Sequence, residues 1–149
     1  AFSQFIPEMI EKRFKLTLHL PMSENKILSI SLLYGILVLL SLYIFTFVLL
    51  IIGSNIYYPA EIVSMMIYQV APWFVAGIIA YIFATWVTLE PTWRQRIFNV
   101  LIGLSILSLL FTDARPGAYN YFIPYALIIG LLSISFTFYS AARFKDGAQ

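Results

Sequence analysis

The sequence has no cysteine and only one histidine among its 149 residues. Disulfides, thiolate nucleophiles, cysteine-held zinc and iron–sulfur clusters are therefore excluded, and His19 has no second imidazole with which to hold haem or a metal. Charge is scarce as well: Asp, Glu, Lys and Arg make up 11% of the chain and sum to a net +2, against about 25% charged residues in an ordinary soluble domain. The few basic side chains are spread over several connections, so there is no electrostatic footprint for nucleic acid. Walker A, GxGxxG, GxSxG and HExxH patterns are also missing, which argues against nucleotide hydrolysis or hydrolytic chemistry within the chain. The expectation is a non-enzymatic protein with no cofactor and no metal.

What the chain has in excess is apolar surface. Hydrophobic residues make up 61% of it and the mean hydropathy is +0.88. A soluble fold of this length could not cover so much apolar area, whereas lipid accepts it without penalty. The composition therefore predicts an all-α, polytopic protein with the lipid bilayer as its principal partner.

A helix needs about 20 apolar residues to cross the hydrocarbon. Four segments meet or approach that length: Ile27 to Ile52, without a single charge; Ile62 to Leu89, which contains Gln69 and Pro72; Ile97 to Thr112; and Tyr121 to Ala142. The third is short, and Arg94 and Arg96 beside it can extend its reach by snorkelling. Between the segments lie "GSNIYYP" at 53–59, "EPTWRQ" at 90–95 and "TDARPGAYN" at 112–120. Such short connections make successive helices antiparallel neighbours. Lys12, Arg13, Lys15, Lys26, Arg94, Arg96, Arg143 and Lys145 then fall at one end and Arg115 alone at the other, so both termini are expected in the cytoplasm. The organisation read from this is a leader at 1–26, a four-helix membrane domain at 27–142 and a basic tail at 143–149.

The leader is the most charged stretch. Phe2, Phe5, Ile6, Met9, Ile10 and Arg13 recur at the spacing of one helical face, with Glu8, Glu11, Lys12 and Lys15 elsewhere. That pattern predicts an amphipathic helix lying in the cytoplasmic interface or against a partner. From Lys15 the pattern alternates through Leu16, Leu18 and Leu20 until Pro21 stops it; Ser23 is then a good N-cap for the first span and Glu24 suits its dipole.

"EKRFKLTLHLPMSENKIL", from Glu11 to Leu28, resembles the cytoplasmic loop between the second and third spans of ABC transporter permeases of the type-2 exporter class. Glu11, Lys12, Arg13, Leu18, Leu20, Pro21 and Ser23 match that arrangement, and "SAARFKDG" is similar to the basic tail after the last span of such permeases. Two departures stand out: Glu24 follows Ser23 where a basic residue is frequent, and a Gly-Lys pair further on is missing. The resemblance implies that the four spans belong to a six-span unit whose first two spans are not in this chain. It also implies that residues 8–24, Glu8 among them, contact a separate ATPase subunit, that two permease copies or related permeases pair, and that the setting is a bacterial inner membrane.

Other polar residues read more plainly. His19 is expected as an interface imidazole. Glu61 and Asp113 sit at outer span ends, where carboxylates are solvated or favour a helix N-terminus. Gln69 and Pro72 offer a polar, bent wall beside a substrate path, or a kink held by packing. Gly130, Ser133 and Thr137 form a small-residue stripe on the fourth segment, read as a self-association face. The sequence thus favours a permease subunit of an ATP-driven exporter. The alternative is an accessory subunit that stabilises a larger membrane enzyme complex.

Overall fold

The structure, a computed structural model, describes Ala1 and residues 4–7, 24–109 and 121–145. Four helices carry almost all of them: α1 (Glu24–Tyr57), α2 (Ala60–Leu89), α3 (Trp93–Leu109) and α4 (Ile123–Lys145), with no strand among the described residues. Three of these, α1, α2 and α4, are long and apolar enough to cross a membrane. The 17 residues of α3 rise only about 25 Å, short of a hydrocarbon core of about 30 Å.

Helix boundaries depart from the hydropathy pattern where local chemistry overrides it. Helix α1 runs on through Gly53 to Tyr57, over most of the expected connection. Asn55 Nδ2 donates to the Ile51 carbonyl at 2.8 Å, and the Tyr58 N–H donates to the Ser54 carbonyl at 2.9 Å, so the last turns satisfy their own acceptors. Pro59 then ends the run, since it disfavours helical geometry in the residue before it. Its extended backbone (φ −65°, ψ 155°) opens α2 directly, and Glu61 lies in the first turn, where the dipole favours a carboxylate. Helix α2 continues through Pro72, which cannot donate to the Tyr68 carbonyl. Helix α3 starts at Trp93, four residues before the expected Ile97, which leaves only residues 90–92 between α2 and α3. Helix α4 extends into the expected tail, as far as Lys145.

Helix α2 is the hub, touching each of the other three, most extensively α4; α1 and α4 meet only slightly. Of the most apolar 18-residue window of each helix, 44% is buried in α2 and 6% in α1. Helix α1 accordingly shows Leu33, Leu37, Ile44, Phe45, Leu49 and Ile52 to its surroundings, which is the surface expected of a helix bathed in lipid or covered by another span.

Two apolar clusters hold the bundle. One gathers Phe5, Leu28, Leu32, Tyr81, Ile82, Leu89 and Ala141. It joins the start of α1, the ends of α2 and α4 and the described turn of the leader at one end of the molecule. The other packs Ala76, Ile79 and Phe83 of α2 against Ala126, with Ile106 and Leu107 of α3 alongside.

Along the α2–α4 seam the side chains are small. Gly130, Ser133, Thr137 and Ser140 of α4 are all buried, and a Cβ on Gly130 would come 3.4 Å from Ile79 Cγ1. The expected self-association stripe is thus spent within the chain, on the approach of α4 to α2. Its hydroxyls are satisfied locally: Ser133 donates to the Gly130 carbonyl (2.6 Å) and Thr137 to the Ser133 carbonyl (3.0 Å). On the facing helix, Thr85 donates to the Tyr81 carbonyl and Thr88 to the Ala84 carbonyl, each at 2.9 Å. A hydroxyl bonded back to its own helix presents a nearly apolar face, so the two backbones approach without an unsatisfied group.

Candidate functional site

The end of the bundle where α2 and α4 finish holds nearly all the described polar chemistry. Glu90, the first residue past α2, is 1% exposed. A carboxylate there survives only if its oxygens are well partnered, and they are. Ser140 Oγ of α4 donates to Oε2 at 2.7 Å, Thr92 Oγ1 donates to Oε1 at 2.7 Å, and Arg143 Nη1 donates to Oε1 at 3.2 Å. The backbone carbonyl of Glu90 accepts Arg96 Nε of α3 at 3.0 Å. Arg143 Nη1 also donates to Gln95 Oε1 at 3.1 Å, while its guanidinium lies 5.9 Å from the Tyr139 ring centroid. One carboxylate therefore fastens the α2–α3 corner to the last turn of α4.

Its sequence explains the placement. Pro91 forces an extended backbone on Glu90 (φ −70°, ψ 121°), which turns the chain sharply out of α2. No acidic residue lies in the first turn of α3, although Arg94 and Arg96 do; Glu90 supplies the negative charge that this helix N-terminus otherwise lacks.

Two clefts flank Glu90. A cleft of about 620 Å³ is lined by Pro91, Thr92, Trp93, Arg94, Gln95 and Arg143. A deeper one of about 480 Å³ is lined by Trp86, Glu90, Gln95, Ser135, Phe136, Tyr139 and Ser140. The rings of Trp86 and Phe136 stack at 5.4 Å across the α2–α4 seam in the second. No group of three or more His, Asp or Glu able to hold a metal occurs among the described residues.

A second polar junction ties the leader to the spans. Phe5 is 2% exposed within the cluster that includes Leu28, Tyr81, Leu89 and Ala141, whereas Ile6 is exposed. Gln4 Nε2 donates to the Ser31 carbonyl of α1 and Tyr81 Oη of α2 donates to Gln4 Oε1, both at 3.0 Å. The described turn of the leader is thereby docked on the bundle, with one residue of its expected apolar face turned inward.

The expected partner-binding residues Glu8, Glu11, Lys12, Arg13, Leu18, Leu20, Pro21 and Ser23 lie outside the described residues, as do His19 and Asp113. Of the expected substrate-path pair, Pro72 is buried and Gln69 is exposed on the outer surface of α2, between the exposed Tyr68 and Trp73. Glu90, Ser140 and Arg143 were not anticipated as a site. The signal for them was present: successive spans that alternate in direction put the end of α2 and the end of α4 at the same face, so a carboxylate at one and a guanidinium at the other are natural partners. No family model, no curated protein and no solved structure matches the chain.

Proposed function

We propose that the chain is a membrane-embedded permease subunit of an ATP-driven exporter, without catalysis of its own, moved by a separate ATPase subunit through its leader. The observation that carries this reading is the docking of Phe5 and Gln4. Phe5 packs with residues of α1, α2 and α4, and Gln4 bridges Ser31 and Tyr81. A push on the leader would reach three helices at once through these contacts, as a coupling element requires.

Orientation follows from charge. Lys26, Arg94, Arg96 and Arg143 lie at the end that holds Glu90, and Glu61 is the one described charged residue at the other. In this reading the basic end is cytoplasmic and the membrane is a bacterial inner membrane. Helix α3 serves as the fourth span, with the arginines at its start reaching the headgroups.

Pairing with a second copy or a related permease is supported by Gln69. It lies about 14 Å along α2 from Ala60 with its side chain outward. An amide facing hydrocarbon is costly, and a facing helix or an aqueous path between copies would satisfy it. The path in this reading runs between bundles, with Gln69 on its wall and Pro72 behind it.

Purification of the intact assembly from native membranes tests the proposal. It expects an ATPase among the co-purifying chains, and loss of transport-linked ATPase stimulation with assembly intact in Glu11→Lys or Arg13→Glu. An assembly without an ATPase, dismantled by those same substitutions, supports the accessory-subunit reading.

A further inference from the structure

The two clefts beside Glu90 differ in chemistry and adjoin through Gln95. The outer one has a largely apolar lining but carries the guanidinium groups of Arg94 and Arg143 on its walls, with the exposed Trp93 at its rim. The deeper one is walled mainly by Trp86, Phe136 and Tyr139. The outer cleft lies among the turn after α2, the start of α3 and the end of α4, and the deeper one continues along the α2–α4 seam into the span, so a ligand that fills both has a charged head and an apolar tail.

The sign of the head follows from the charges. Glu90 is consumed internally by Ser140, Thr92 and Arg143. Counting Arg94, Arg96 and Arg143 against Glu90, the corner keeps two net positive charges among the described residues. Arg94 is exposed and forms no hydrogen bond or ion pair with any described residue. Its guanidinium is uncommitted among the described residues, and a planar fork of donors suits phosphate oxygens. Arg143 commits Nη1 to Glu90 and Gln95, which aims the guanidinium while leaving its other nitrogens unengaged by described residues. Basic pockets between spans at a membrane face commonly hold lipid headgroups, and tryptophan and tyrosine favour that depth.

We propose that this corner is a binding site for an anionic phospholipid. The phosphate sits in the outer cleft between Arg94 and Arg143, and the first part of an acyl chain lies against Trp86, Phe136 and Tyr139. The lipid would pin the α2–α3 corner to α4 from outside as Glu90 does from within. This inference depends on the chain lying in a bilayer and is independent of any ATPase partner.

The test is lipid binding to the full chain in detergent micelles, by native mass spectrometry and thermal shift. The probes are phosphatidylglycerol, phosphatidylcholine and inorganic phosphate. The site predicts preference for phosphatidylglycerol over phosphatidylcholine and no stabilisation by inorganic phosphate alone. Arg94→Gln should weaken phosphatidylglycerol binding about fivefold, the worth of one basic residue near the surface, and Arg94→Lys should recover part of it. Phe136→Ala should weaken binding without abolishing the preference for the anionic headgroup. Equal binding of the two lipids, or unchanged affinity in Arg94→Gln, overturns the proposal. Stabilisation by inorganic phosphate equal to that by the lipid also overturns it, because the tail would then contribute nothing.

Discussion

The Tyr81 hydroxyl occupies the space where a side chain on Gly35 would begin. A Cβ on Gly35 would overlap the phenol oxygen and come within 2.8 Å of Tyr81 Cε2. The relationship is repeated in the opposite sense along the same pair of helices, where Tyr43 of α1 rests on Gly77 of α2. Each helix thus offers a glycine to the other's tyrosine, and the two glycines are the condition for α1 to lie against α2 at all. The same Tyr81 hydroxyl bonds Gln4, so leader docking and span packing share one atom.

Gly35→Ala should therefore destabilise the α1–α2 pair by about 1–3 kcal/mol, the usual cost of forcing atoms into a filled site. The double variant Gly35→Ala with Tyr81→Leu should lose less than the sum of the single losses, because the phenol oxygen and Cζ that a Cβ would overlap are both gone. Thermal unfolding of the three variants in detergent measures the coupling.

Removing the buried carboxylate separates structural from incidental polarity. Glu90→Gln should cost about 1.5–3 kcal/mol, the range for hydrogen bonds to charged groups. The loss should stay below that of a fully buried pair because the Arg143 side chain is 26% exposed and keeps access to water. Arg143→Gln should fall close to it, and the double variant should be less than additive. Additive losses would mean that the two residues act separately.

The small stripe on α4 gives a test of which surface it serves. Gly130→Leu should lower stability by about 1–3 kcal/mol by driving α4 from Ile79, with no change in oligomeric state beyond what unfolding causes. Leu131→Ala, at a position 65% exposed, should leave monomer stability nearly unchanged. Crosslinking yields and melting curves read the two effects separately.

Phe5→Ala should release the leader from the bundle while leaving the four helices formed. Deleting a buried phenylalanine side chain costs about 3 kcal/mol or more, and here the loss falls on docking of the turn. Limited proteolysis should then cut within the first 26 residues faster than in the parent chain, with the helical circular dichroism signal retained.

The long apolar runs made the helices legible, since a stretch such as Ile27 to Ile52 admits no other placement in a bilayer. Hydropathy could not show that Asn55 and Pro59 would carry α1 to Tyr57, because capping and carbonyl satisfaction are set by single side chains. Nor could it say which neighbour the stripe of Gly130, Ser133 and Thr137 would face, since small residues ease any close approach, within a chain or between chains. In the sequence Glu90 reads as one residue of a turn. Its importance comes from Ser140 and Arg143, about fifty positions away, which only the parallel run of α2 and α4, alternate helices of an up-and-down bundle, brings beside it.

The most direct test of the account is the side of the membrane on which the Glu90 end lies. The parent chain has no cysteine, so single cysteines can be placed at the exposed positions Tyr57 and Ala142 and probed in intact cells with a membrane-impermeant maleimide. The account predicts labelling of Tyr57→Cys from outside, and labelling of Ala142→Cys only after the membrane is opened. Labelling of Ala142→Cys in intact cells would put the leader's docking site on the outer face and contradict it.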